Sequence, residues 1–501
     1  MIWSALPSTR GAAYLLGTVL ASSGCVRAEI SDTEAGVGGA LTGGSGAVTA
    51  GSGASMNRGG GASGGASAGA TSTTGGSSQG GAAMGGSSGG AAAGASGASG
   101  GSGGGVSDSV PPKLCAITLS CDGPIVDDPK IACRLSIVDG DGGSVYSDSA
   151  AVELRGRSSI KYPKPNYSLE LQTASGSENP VNLLGMGKES DWVLDGSWVD
   201  RSFMRNMLTF SLFRDMGWYA ARGRFCTLVL DGKERGIYEL REKIKRDDDR
   251  VALSDDDGTG KSLLLKQDDD GSLRLSIGAG ARWQLIYPKE KNANAAQLAA
   301  AQSFLDQLDA ALNGASPNDA TSGLPALLDI PQAVDFVLLE EFSKNVDAYN
   351  LSLFLARDAG KKARFIPWDF DLSYGQPTIR GVAANEQPSG WVNTRTRLIT
   401  ALTKVDALRT ALGPRWRALR AGPLTNAAVL GKLDRYQMTL DPAAIARNFS
   451  AWPLAEVDFS RIYGPYSLYP VSSYSDEVMQ LRAWIEARLA FMDAHIYTYP
   501  N

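Results

Sequence analysis

The spacing of apolar residues switches between two periods along the chain, and the switches mark out its elements. From Leu114 to Asp139 the runs CAITLSC and IACRLSIVD alternate apolar and polar positions around the turn Asp122-Gly-Pro-Ile, as paired strands do. Ala150–Arg155 and Tyr167–Leu171 form a second such pair. Phe225–Leu230 and Gly236–Leu240 form a third around Asp231-Gly-Lys, a good hairpin turn. Between these pairs a helix is predicted from Phe203 to Met216, capped by Asp200 or Ser202 and closed by Gly217. Further on, helical spacing dominates. Ala295–Leu312 is an alanine-rich amphipathic helix. Ala333–Phe342 predicts a helix with one buried face, and Pro331 suits its first turn. Arg395–Thr403, Asp406–Arg420, Asn426–Met438 and Ser475–His495 continue the pattern, with Pro414 expected to break or kink the second. Strands come first and helices later, an α+β order.

One stretch departs from this division. After the helix ending near Phe342 comes a polar break, Ser343–Asn350, which contains Asp347. Two short strands follow, Leu351–Ala356 and Ala363–Trp368, and then Asp369 and Asp371. Protein kinases set a catalytic loop and a magnesium loop on either side of a hairpin in this way. One carboxylate accepts or orients the proton of an attacking hydroxyl. The second holds Mg²⁺ against the β- and γ-phosphates. Either aspartate alone reads as an ordinary solvated turn acid; the pair flanking a hairpin points to chemistry.

At these residues the chain resembles the spore-coat protein H (CotH) kinase family. The matching stretches are FSKNVDAYNLSLFLARDAGKK and PWDFDLSYG, preceded in order by DGPIVDDPKI, ELRGRSS with PKPNYSLEL, LLGMGKESDWVL, DRSFMRNML and GIYELREKIKRDDDRV. The resemblance implies an atypical protein-kinase-like, two-lobed α+β fold. Its β-rich N-lobe would span 107–245, and its mainly helical C-lobe, carrying the catalytic hairpin, 246–501. It also implies ATP and Mg²⁺ (or Mn²⁺) as cofactors, and protein substrates with accessible Ser/Thr. Asp347 takes the catalytic place and Asp369 the metal place, with Asn350 and Asp371 as further metal oxygens. The loop Gly156–Pro165 stands for a kinase's glycine-rich loop, which nominates Arg155 and Lys164 for the phosphates. Backbone groups near Glu242 would meet the base where one lobe passes to the other. Trp368 reads either as a stack for adenine or as core. The helix 203–216 stands where a kinase keeps a glutamate for its phosphate-binding lysine, and no glutamate lies between Ser202 and Met216.

Composition narrows the alternatives. The single histidine, His495, leaves no Ser-His-Asp triad and no multi-histidine zinc site. A net charge of −5 argues against a dedicated nucleic-acid binder. Residues 1–25 have the pattern of an export signal: Arg10, the apolar run Ala12–Ala21, then Ser22-Ser-Gly-Cys25. Cys25 is placed to carry a lipid anchor, which would leave the protein on the cell envelope or surface; ordinary cleavage would secrete it. Residues 26–106 are mostly Gly, Ala and Ser, and read as a disordered tether. Cys115, Cys121, Cys133 and Cys226 permit two disulfides of unspecified pairing. Two rival functions remain open: a non-catalytic surface or adhesion module, and a carbohydrate-active enzyme with two carboxylates.

Overall fold

The alternating runs close on themselves. In a computed structural model describing residues 113–500, except 269–270, 276–281, 380–385, 393–395 and 458–465, the first strands form a closed barrel. The expected export signal, Cys25 and the tether lie outside the described residues, as does Arg395. In chain order the strands are β1 (Cys115–Cys121), β2 (Ile131–Val138), β3 (Ser144–Arg155), β4 (Asn166–Gln172), the short hairpin β5 (Val181–Asn182) and β6 (Lys188–Glu189), β7 (Asp191–Asp195), β8 (Gly223–Leu230) and β9 (Lys233–Glu242). Around the barrel the order is β1-β2-β3-β4-β7-β9-β8, and β8 pairs in parallel with β1 to close it. Closure leaves no unpaired edge. Ile117, Leu119, Leu135, Leu169, Trp192 and Leu240 are among the side chains buried in its core.

Both disulfides lie on barrel seams. Cys121–Cys133 joins neighbours across the antiparallel β1–β2 pair, and Cys115–Cys226 joins the parallel β1–β8 pair that closes the barrel. The second could not be read from sequence, because its partners are 111 residues apart and meet only when the barrel closes.

The remaining elements make the architecture α+β, as expected. Helix α1 (Arg205–Asp215) follows β7. It starts two residues later than predicted, because Phe203 takes a left-handed φ of 65° that cannot continue a helix. Asp200 still caps it, accepting from the Arg205 amide at 2.8 Å. A four-stranded sheet of order β11-β10-β12-β13 combines β10 (Leu263–Asp268), β11 (Arg282–Tyr287), β12 (Leu353–Arg357) and β13 (Arg364–Ile366), so the predicted hairpin gains two strands from upstream. A separate short pair joins β14 (Pro377–Ile379) to β15 (Tyr466–Leu468). Helices α2 (Ala295–Asn313), α3 (Leu324–Leu327), α4 (Ile330–Ser343), α5 (Arg397–Leu402), α6 (Asp406–Arg420), α7 (Asn426–Thr439), α8 (Pro442–Ala451) and α9 (Tyr474–His495) complete the described elements used below.

One helix expectation needs correction and another is narrowed. Instead of one buried face, α4 is buried all round, with only Pro331 exposed. Phe336 stacks on Phe365 of β13 at 4.7 Å and meets Phe213 of α1, while Phe342 meets Trp416 of α6. Of the two outcomes expected at Pro414, the break does not occur, since α6 runs through it. The buried stripe Leu408, Leu412, Trp416 and Leu419 outweighs the single lost amide bond.

Peptide mapping without reductant should recover Cys115 linked to Cys226 and Cys121 linked to Cys133. A Cys115→Ser/Cys226→Ser variant should lose about 2 kcal/mol more stability than a Cys121→Ser/Cys133→Ser variant, because its loop is far longer. A free thiol at Cys226 would contradict the barrel closure described here.

Candidate active site

The buried helix α4 ends abruptly, and its ending sets up the site. Lys344 turns into the left-handed region (φ 46°) and donates its amide to Glu340 O at 2.9 Å. The loop that follows is bonded to the loop after β13. Val346 N donates to Leu372 O at 3.3 Å, and Tyr374 N donates to Ser343 O at 2.7 Å. Asn345 Nδ2 donates to the Asp369 carbonyl at 3.2 Å, and Ser352 Oγ donates to the Asp369 carboxylate at 3.1 Å. The hairpin thus brings the two acid loops side by side, as its position in the sequence suggested.

Backbone strain gathers in the same place. Five non-glycine residues, Lys344, Tyr349, Ser352, Asp369 and Tyr374, have φ between 46° and 69°. Each costs about 1–2 kcal/mol relative to an ordinary conformation. Such strain persists where surrounding structure over-determines it, most often at functional sites.

The electrostatics of the recess are unfavourable as they stand. Asp347 and Asp369 keep part of their surface open to solvent, although protein surrounds them. Burial, then Asp369 and Asp268, push the Asp347 carboxyl up to about 7. Burial also raises Asp369; Arg241, the Ser352 hydroxyl and Lys266 oppose that rise, and Asp195 adds to it. Asp371 is raised well above the carboxylate range by burial and by Asp369, Asp195, Asp200 and Asp347. Like charges crowded in a poorly solvated recess resist joint ionisation.

Cations border these acids. Burial opposes charge on Arg241, yet Asp195 (2.7 Å away), Glu239, Asp369 and Asp371 hold its guanidinium above the usual range. Arg155 stands at the end of β3 with its guanidinium 5.4 Å from the Trp368 ring centre. Its Nη1 is buried and has no hydrogen-bond partner among the described residues. Burial and the neighbouring Arg241 lower it to about 10. Lys266 on β10 adds a third cation, paired with Asp268. Neither Arg241 nor Lys266 stood out in the sequence. Each lies in an unremarkable strand and reaches the acids only through the tertiary fold.

The other expected site residues divide. Asn350 lies on the Asp347 loop, where its amide donates to Asp347 O at 3.0 Å and its carbonyl accepts from Gln267 Nε2. Lys164 and Glu242 sit elsewhere than expected, and Trp368 takes the core place of its two readings. Lys164 is 1% exposed, and its ammonium is committed to Ile237 O and Asn448 Oδ1 beside the Tyr238 ring. Burial lowers it to about 7, with Asp195 partly offsetting the fall. It is a core lysine rather than a phosphate ligand. Glu242 is buried in an ion pair with Arg222, and its amide donates to the Arg222 carbonyl, so neither its carboxylate nor its N–H is open to a base. Trp368 is 7% exposed, stacked on Phe210 and covered by Arg241 at 4.4 Å, so it offers no face to adenine.

The donor set suits a hard divalent cation. Among the described residues no three His, Cys, Asp or Glu side chains are grouped tightly enough to cage an ion by themselves. Mg²⁺ does not need such a cage, because it takes one or two carboxylates and completes its shell with phosphate and water oxygens. Asp369 and Asp371, both raised by burial and then by neighbouring carboxylates, are groups that such a charge would relieve.

Comparison with known proteins agrees with the geometry. The Bacillus subtilis (strain 168) protein named inner spore coat protein H is 21% identical over 193 residues, which are 36% of this chain and 49% of that protein. The aligned part thus spans about half the length of this relative. A family model described as CotH kinase protein matches residues 152–492, about two-thirds of the chain, from within the barrel almost to the end of α9. The chain belongs to the CotH kinase protein family.

Proposed function

We propose that this protein is an exported protein kinase, which transfers the γ-phosphate of ATP to Ser/Thr hydroxyls of secreted or surface proteins. The observation that carries this reading is the pair of bonded loops that bring Asp347 and Asp369 together beside Arg155 and Arg241. Asp347 orients the acceptor hydroxyl and takes its proton as the oxygen attacks the γ-phosphorus. The bond to the β–γ bridging oxygen breaks, and ADP leaves. Asp347, held near neutrality, suits a base working at physiological pH. Asp369, with Asp371 and Asn350, would hold Mg²⁺ or Mn²⁺. The bound ion would neutralise charge on the β- and γ-phosphates. Arg155, with an unpaired nitrogen, is positioned to receive phosphate oxygens; Arg241 opposes the rise that burial imposes on Asp369.

The kinase-like division into two lobes, 107–245 and 246–501, is part of this proposal. The end of the barrel at Glu242 supports that boundary. Export, the tether over 26–106 and a lipid at Cys25 are likewise proposed. The two disulfides support an oxidising compartment.

The direct test is incubation of the protein with γ-labelled ATP and Mg²⁺ or Mn²⁺, scoring self-labelling and labelling of a Ser/Thr-rich protein. Asp347→Asn should lower the rate by about 10²–10⁴-fold with the fold intact. Asp369→Asn should lower it at least as far and blunt its dependence on metal concentration. Equal labelling by wild type and both variants would remove the assignment.

A second expectation concerns pH. The raised Asp347 group keeps its proton in the folded state up to about pH 7, whereas the unfolded chain releases it near the ordinary value of about 4. Between those values the folded state binds more protons, so this group makes stability fall as pH rises. Asp347→Asn should therefore melt higher than wild type at pH 8, with the difference shrinking steadily from pH 7 towards pH 4. A variant that melts lower than wild type at pH 8 would contradict the raised value.

A further inference from the structure

The peptide group between Asp369 and Phe370 is held from both ends by buried asparagines. Its carbonyl, on Asp369, accepts from Asn345 Nδ2 at 3.2 Å. Its amide, on Phe370, donates to Asn206 Oδ1 at 2.7 Å. Both asparagines are 3% exposed, and they come from different elements: Asn206 from the first turn of α1, Asn345 from the loop after α4. Asn345 also accepts from the Asp347 amide at 3.2 Å through Oδ1. Its carboxamide therefore cannot turn over without losing that bond, and one side chain sets the spacing of both acid loops.

We infer that Asn206 and Asn345 act as a clamp on this peptide plane, positioning residues that keep Asp369 aimed into the recess. The inference rests on the phosphate-transfer reading of the same site. The clamp answers a specific problem. Asp369 has φ of 69°, a conformation that a non-glycine residue leaves readily unless its neighbours prevent it. What the clamp blocks directly is a flip of the peptide that follows, a turn of ψ at Asp369 and of φ at Phe370 that would redirect the chain just beyond the acid. Flipped, that peptide would put its carbonyl against Asn206 Oδ1 and its N–H against Asn345 Nδ2, like facing like at both ends. Two buried amide groups would then lack partners, which folded proteins avoid.

The remainder of α1's first turns reinforces this grip. Arg205 Nε donates to Ser373 O at 3.1 Å, the Thr209 hydroxyl meets the Tyr374 hydroxyl at 2.7 Å, and Phe210 packs edge-on against Phe370. Arg205 is itself fixed by Asp200 at 2.6 Å and by Glu477 of α9 at 2.8 Å. Residues 205–210 thus serve the loop 369–374, whereas a kinase would use the corresponding helix to supply a glutamate.

The test uses full-length protein labelled with ¹⁵N-phenylalanine, in which exchange of the Phe370 amide is followed by NMR alongside Mn²⁺ affinity measured in the presence of ADP. Asn206→Leu removes the acceptor and should speed Phe370 exchange by about tenfold or more relative to other protected phenylalanine amides. Asn206→Asp keeps an acceptor oxygen and should leave that amide slow. Asn345→Leu, with a melting temperature close to wild type, should weaken Mn²⁺ binding by about 10–100-fold. Unchanged Phe370 exchange in Asn206→Leu, equally fast exchange in Asn206→Asp, or unchanged Mn²⁺ affinity in Asn345→Leu would overturn the clamp. Wild-type protein that binds neither Mn²⁺ nor ADP would overturn the kinase reading instead, and Phe370 exchange would still decide the clamp.

Discussion

Asp347, Asp369 and Asp371 share a recess in which burial and neighbouring carboxylates raise the proton affinity of all three, so their charge has to be contained by structure drawn from distant parts of the chain. Arg241 and Arg155 arrive from barrel strands, Lys266 from the second sheet, and the two loops are bonded to each other. Separate from a fold, these acids would be ordinary solvated carboxylates. Within it, their proton affinities are raised together, a common signature of functional positions.

The surrounding architecture follows from that containment. A helix buried on all sides is a rigid support, and α4 ends where the Asp347 loop begins. The hairpin β12–β13 gains rigidity by joining β10 and β11. The barrel, closed by its parallel seam and two disulfides, presents Arg155 and Arg241 from β3 and β9. The strain at five left-handed residues is tolerated because α4, α1 and the hairpin enclose the loops that carry it.

Much of this was legible in the sequence, for a physical reason. Asp347 and Asp369 lie within a stretch whose helix, loop and hairpin are contiguous, so local pattern alone placed them together. Strand alternation likewise exposed most of the barrel, although β7 was passed over inside LLGMGKESDWVL. What could not be read depends on contacts between distant residues. Arg241 and Lys266 look like any strand cation until the fold sets them beside the acids. Lys164 was misjudged because residue type suggests a ligand contact without saying which way the side chain faces, and it is committed to Asn448; Trp368, covered by Phe210 and Arg241, takes the core place of its two readings. Glu242 was placed by analogy of order, yet its amide is bonded to the Arg222 carbonyl and its carboxylate to the Arg222 side chain. Asn206 and Asn345 stood in quoted motifs without a role, since an asparagine's partners are invisible until the loops meet.

The central physical claim is that the acid recess holds protons that a nucleotide-bound cation displaces. It is tested most directly by calorimetric titration of Mg²⁺ and ADP into the protein at pH 6.5, in two buffers of different ionisation enthalpy. The account predicts net proton release on binding, reduced in Asp369→Asn. Binding without proton release, or identical release in the variant, would contradict it.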